Sequence, residues 1–121
     1  MSWRSYRDLI VWQKAMELVD EVYRLSKELP SEELYALSAQ MRRAAVSIPS
    51  NIAEGYGRRS VKEFRQFLSV ARGSVFELET QIEIAVRQDF LPAERVGLVF
   101  QQCQNIGKML TKLSQSESQQ L

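Results

Sequence analysis

QMRRAAVSIPSNIAEGYGRR, residues 40–59, opens as an amphipathic helix, takes a proline in mid-pattern at Pro49 and ends at two glycines. Arginine pairs flank it: Arg42 and Arg43 before, Arg58 and Arg59 after. A proline inside a helix deletes one backbone hydrogen bond and presses on the carbonyl four residues back, here Ala45, at a cost of roughly 3 kcal/mol. The segment is therefore either a fold marker with local compensation or a strained functional site. Asn51 and Ser47 flank the proline and are expected to bond carbonyls freed by a bend in the helix. Gly55 and Gly57 are expected to stop the helix in the left-handed conformation.

Outward from this stretch the periodicity is helical throughout. Leu9, Trp12, Met16, Val19 and Tyr23 step by three and four. So do Leu34, Leu37, Met41, Ala44, Ile48 and Ile52, with one slip near the proline. A third set runs Phe64, Leu68, Ala71, Val75, Leu78, Ile82 and Ala85; a fourth runs Val96, Val99, Cys103, Ile106 and Leu110, with Met109 or Leu113. Such spacing puts each set on one helical face, and no segment alternates like a half-buried strand. Trp12 is expected as a core anchor, while Trp3 precedes the first helix.

The punctuation agrees. Ser31 is a candidate N-cap after Pro30, Ser60 and Glu63 form a capping box, and Pro92 suits the first position of helix four. Phe90 and Leu91 make an apolar loop tip. Gly73, inside helix three, is expected to mark close approach of helix two at Ala44 and Ala45. The expected architecture is an all-α, antiparallel up-down-up-down four-helix bundle over residues 1–113, helix two kinked at its proline, with a frayed polar tail over 114–121.

The chain has 121 residues, 45% hydrophobic and 26% charged, the profile of a soluble globular domain. No apolar run approaches the ~20 residues of a membrane span, and MSWRSYRD lacks a secretory h-region. One cysteine excludes an internal disulfide, so a cytoplasmic location is expected. Histidine is absent, which removes the commonest metal ligand and general base. Neither enzymatic activity, nor metal, nor cofactor is expected, and Cys103 reads as a small core hydrophobe.

YRDLIVWQKAMELVDEVYRL (6–25), QMRRAAVSIPSNIAEG (40–55) and FRQFLSVARGSVFELETQIEIA (64–85) resemble the four-helix bundle proteins encoded in intervening sequences of bacterial 23S ribosomal RNA genes. A related branch serves diversity-generating retroelements as accessory protein. The resemblance covers about Tyr6 to Leu113, and the block from Ser47 to Gly55 is its most specific part. It implies a ring-shaped homopentamer and, in the retroelement branch, association with a reverse transcriptase and nucleic acid. It implies no catalytic residues.

Net charge is only +1, so attraction to nucleic acid must come from clustering. Residues 58–72 hold Arg58, Arg59, Lys62, Arg65 and Arg72 against Glu63, a balance of +4; residues 73–86 carry Glu77, Glu79 and Glu83 and no base, a balance of −3. Helix three thus opposes its own macrodipole. Three readings account for this: a solvated face with pairs such as Glu54–Arg58 and Glu83–Arg87, complementary halves meeting between subunits, or phosphate binding. The candidate nucleic-acid site comprises Arg42, Arg43, Tyr56, Arg58, Arg59, Lys62 and Arg65, Tyr56 offering a ring for base stacking. The alternative is a purely structural or protein-binding oligomer without nucleic-acid contact.

Overall fold

Seven apolar side chains at steps of three and four make the longest helix. In the computed structural model, which describes residues 5–119 and the side chains of 5–116, this helix spans Val61–Arg87. All seven, from Phe64 to Ala85, are buried. Ser60 caps its start, its Oγ accepting from the Glu63 amide at 3.1 Å. In chain order the helices are α1 (Ile10–Ser26), α2 (Leu37–Tyr56), α3 (Val61–Arg87) and α4 (Gly97–Gln119). One-turn 3-10 segments occupy Tyr6–Asp8, Ser31–Glu33 and Ala93–Arg95. Each helix packs on the next, and α4 closes on α1 around one apolar core, giving an all-α four-helix bundle. No strand occurs among the described residues.

Helix α1 buries a different stripe from the expected one. Val11, Ala15, Leu18, Val22 and Leu25 face the core. Trp12 and Val19 pack at its edge, while Met16 and Tyr23 are each 41% exposed. Two stripes with the same spacing lie one residue apart, and the small Ala15 makes the buried one look weaker. Trp12 meets Tyr6 edge to face at 5.3 Å instead of anchoring the core. Trp3 lies outside the described residues.

The start of α2 also differs. Ser31 opens a 3-10 turn whose N-cap is Pro30, and α2 begins only at Leu37, whose amide donates to Glu33 Oε1 at 3.4 Å. Leu34 is accordingly exposed. From Met41 to Ile52 the expected stripe is buried, and Pro49 is buried inside the helix. Around it, Asn51 Nδ2 donates to the Ser47 carbonyl at 2.8 Å and to Ser47 Oγ at 2.9 Å. Ser47 Oγ in turn meets Ser74 Oγ of α3 at 2.8 Å. Asn51 thus bonds the Ser47 carbonyl beside the proline, and the Ser47–Ser74 contact ties α2 to α3.

Glycines act differently from expectation. No glycine among the described residues has positive φ, and Gly57 caps α2 in the right-handed region. Close approach occurs at Gly55, where an added Cβ would lie 2.7 Å from Phe67 Cβ and 3.1 Å from Phe64 Cδ1. Gly73 is exposed, and an added Cβ there would meet nothing within 4 Å. The left-handed position belongs to Asp89, φ 63°. There Phe90 N–H donates to the Ala85 carbonyl at 2.8 Å and Asp89 N–H to Val86 at 3.0 Å, the two bonds of a Schellman stop. Leu91 is buried and Phe90 packs on the core, so this tip caps the bundle. Pro92 caps the Ala93–Arg95 turn and does not enter α4. Helix α4 buries Val99, Cys103, Ile106 and Leu110, and its helical backbone continues past Ser114 to Gln119.

A seam of unpaired cations between α3 and α4

Beside the buried stripe of α3 runs a second one, Lys62, Arg65, Ser69, Arg72, Phe76, Glu79, Glu83, also stepping by three and four. Helical geometry brings these residues to one edge, and that edge faces α4. Lys62, Arg65, Ser69 and Arg72 line a groove of about 490 Å³ whose far wall includes Thr111 and Gln115. Arg72, Thr111 and Gln115 also border the next groove, of about 690 Å³, with Phe76, Lys108 and Lys112. Phe76, Glu79 and Gln104 continue into a third, which reaches Glu83 and Ile84. The seam is one furrow, cationic at the start of α3 and, beyond Phe76, lined by Glu79 and by Glu83 paired with Arg87 at 3.6 Å.

The seam cations are among those without an ion pair, a state that Lys27, Arg43 and Arg59 share among the described residues. Lys14, Arg24, Arg58, Arg87 and Arg95 all hold carboxylates within 4.0 Å. Among the described residues no such pair involves Lys62, Arg65, Arg72, Lys108 or Lys112. Arg72 does rest over the Phe76 ring, 5.3 Å from its centroid, and Phe76 is 51% exposed. Exposed, unpaired cations keep their full field for an outside anion.

The residues expected from sequence divide. Arg59, Lys62 and Arg65 are exposed around the start of α3. Arg58 beside them is engaged, bonded to Glu54 at 2.9 Å and lying 4.7 Å over the Phe67 ring. Tyr56 is half-buried and packs against the core, so it does not present a free stacking face. Arg42 and Arg43 belong elsewhere. Fourteen residues of helix at 1.5 Å each put Arg42 about 21 Å along the axis from Tyr56, where α2 ends just before Arg58. Arg42 donates to Ser26 Oγ at 3.4 Å and the Leu34 carbonyl at 3.3 Å, beside the buried Ser38 hydroxyl that donates to Ser26 O at 3.0 Å. It fastens the α1–α2 connection. Arg72, Lys108 and Lys112 were not among the expected site residues. The spacing from Lys62 to Arg72 was a signal for the first; the α4 lysines join only through packing.

Two other charged sites serve the fold. Glu21, 8% exposed on α1, accepts from Arg24 at 2.9 Å and Arg95 at 3.2 Å, and Arg95 also grips Glu28 at 2.6 Å. Those hydrogen bonds, Arg24's first, hold the Glu21 carboxyl below its ordinary range against the opposing effect of burial. Burial pushes the Cys103 thiol up to about 12, with the Glu79 charge adding to it, and burial also raises Glu79. Such a thiol is a poor nucleophile. Among the described residues no group of three His, Cys, Asp or Glu is placed to hold a metal, and no helix is long and apolar enough to cross a membrane.

Comparison with known proteins follows the fold. A crystal structure of a protein of unknown function from the S23 ribosomal protein family, from Bacteroides thetaiotaomicron VPI-5482, superposes with a TM-score of 0.80. The two are 25% identical, and the match covers 87% of this chain and 98% of that one. A search of curated proteins found no match. The family model described as 23S rRNA-intervening sequence protein matches residues 7–112, nearly the whole bundle including the Ser47–Gly55 block. The chain is a member of the 23S rRNA-intervening sequence protein family.

Proposed function

We propose that this protein is a non-enzymatic, self-associating four-helix bundle that serves as a scaffold or accessory and engages RNA or DNA through the basic start of α3. The observation that carries the reading is the grouping of exposed cations without carboxylate partners along one groove that begins at the start of α3. Family resemblance supports a ring, pentameric in that reading, with a reverse transcriptase as one partner. A ring repeats a weak patch several times and converts modest affinity into avidity. A cytoplasmic setting suits the single buried cysteine.

The purely protein-binding or structural oligomer is the second reading. It is favoured by the second apolar stripe of α1, where Met16 and Tyr23 are each 41% exposed. Fluorescence anisotropy with labelled RNA and DNA at low salt decides between them. The nucleic-acid reading expects binding that is lost in a Lys62→Glu, Arg65→Glu double variant. Undetectable binding, or binding indifferent to that reversal, leaves the second reading. Light scattering tests the ring: a monomer at micromolar concentration removes it.

A further inference from the structure

The α3–α4 furrow has a shape and a chemical sequence that a general basic patch does not need. Its cations line a concave seam and do not stand on a ridge. Lys62 and Arg72 lie ten residues apart on one helix, about 15 Å of rise. Lys108 and Lys112 oppose Arg72 from α4 along the wall of the second groove. Helices in contact sit 8–10 Å apart, so the furrow between two of them is narrow. A duplex carries its phosphates as two rows across grooves of roughly 6 and 12 Å, on a cylinder too wide to enter a furrow between two helices in contact. A single strand needs only one charged track and a ring for its bases. Phe76, half exposed, supplies the ring at the point where the cations end; the Arg72 guanidinium rests over it, 5.3 Å from its centroid, and would yield that face to a base on turning to a phosphate. Beyond it the groove holds Glu79 and the Glu83–Arg87 pair at 3.6 Å, so the run of unpaired cations ends there.

We infer that the α3–α4 seam is a binding track for a short single-stranded segment of nucleic acid. Lys62, Arg65, Arg72, Lys108 and Lys112 meet the phosphates, and Phe76 stacks a base. The inference rests on the nucleic-acid reading above and narrows it to one strand, adding four residues to the site. Cationic groove and aromatic platform together are the usual means of holding single strands without sequence preference.

The test uses the full-length protein, a labelled mixed-sequence single-stranded RNA, the same sequence as a duplex, and inorganic polyphosphate as a competitor that has charge but no bases. The single strand should bind more tightly than the duplex at equal salt. Phe76→Ala should weaken single-strand binding roughly tenfold, the scale of one lost stacking contact. It should leave competition by polyphosphate unchanged, and Phe76→Tyr should retain wild-type affinity. Duplex binding equal to or tighter than single-strand binding overturns the track, as does Phe76→Ala with unaltered affinity; either result leaves the broader reading standing. Failure of both nucleic acids to bind overturns both. Phe76 is half exposed, and matching circular dichroism spectra check that the variants fold.

Discussion

Alanine at two glycines should move stability in opposite directions. At Gly55 the new Cβ would sit 2.7 Å from Phe67 Cβ and 3.1 Å from Phe64 Cδ1. The first contact is the worse, because a Cβ follows its backbone and cannot swing aside as a side-chain end can. α2 and α3 must therefore part or Phe67 must shift its backbone, and overpacking of this kind costs about 1–3 kcal/mol. Alanine returns about 1 kcal/mol of helix propensity. The net expectation is a loss of about 0–2 kcal/mol, centred on about 1 kcal/mol, which is a fall in Tm of about 3–6 °C for a chain of this size. Gly73→Ala makes the same chemical change where nothing lies within 4 Å. It should gain about 0.5–1 kcal/mol. Thermal and urea unfolding followed by far-UV circular dichroism, at one fixed protein concentration, reads both. If Gly55→Ala gains stability as Gly73→Ala does, the placement of the α2–α3 close approach is wrong.

Other expectations concern the caps and the buried charged groups. Asp89→Gly removes a Cβ from the left-handed region and should raise the urea midpoint, by roughly 0.5–1 kcal/mol of stability. Native Cys103, at about 12, should react with a thiol reagent at pH 8 about a thousandfold more slowly than in urea-unfolded protein, from thiolate fraction alone. The Glu21 carboxyl is held below its ordinary value of 4.5, so its stabilisation is complete above that pH and fades as pH falls through the lower, folded value. Urea midpoints of wild type should therefore decline in that acid window, and Glu21→Gln should start lower and show a shallower decline. Arg95→Ala, which releases Glu28 and half the grip on Glu21, should cost about 1–2 kcal/mol in the same assay.

Helices α3 and α4 were legible because nearly every buried position carries an apolar side chain, Gln81 being the exception on α3, and no larger apolar stripe competes. Helix α1 was not. Its core stripe passes through Ala15, and the neighbouring Trp12, Met16, Val19 and Tyr23 are larger; one residue of offset turns a helix by 100°, and sequence alone does not say which face meets the other helices. Glycine roles were inverted at Gly55 and Gly73 for a similar reason: the contacts that decide them lie on another helix. Lys62 and Arg65 were visible as a charge cluster. Arg42 looked equivalent to them, yet its partners Ser26 and the Leu34 carbonyl are set by the turn between α1 and α2. Lys108 and Lys112 carry no signal of their own and matter only where α4 lies beside Arg72.

The salt dependence of single-stranded RNA binding tests the central claim most directly, because it counts the phosphates the seam engages. If all five seam cations meet phosphates, the slope of log K against log salt should be roughly −3.5, at about 0.7 per contact. Replacing Lys62 and Arg65 with alanine should bring the slope to roughly −2. A wild-type slope near zero, or one that the double replacement leaves unchanged, would contradict the assignment of the α3–α4 seam as the nucleic-acid site.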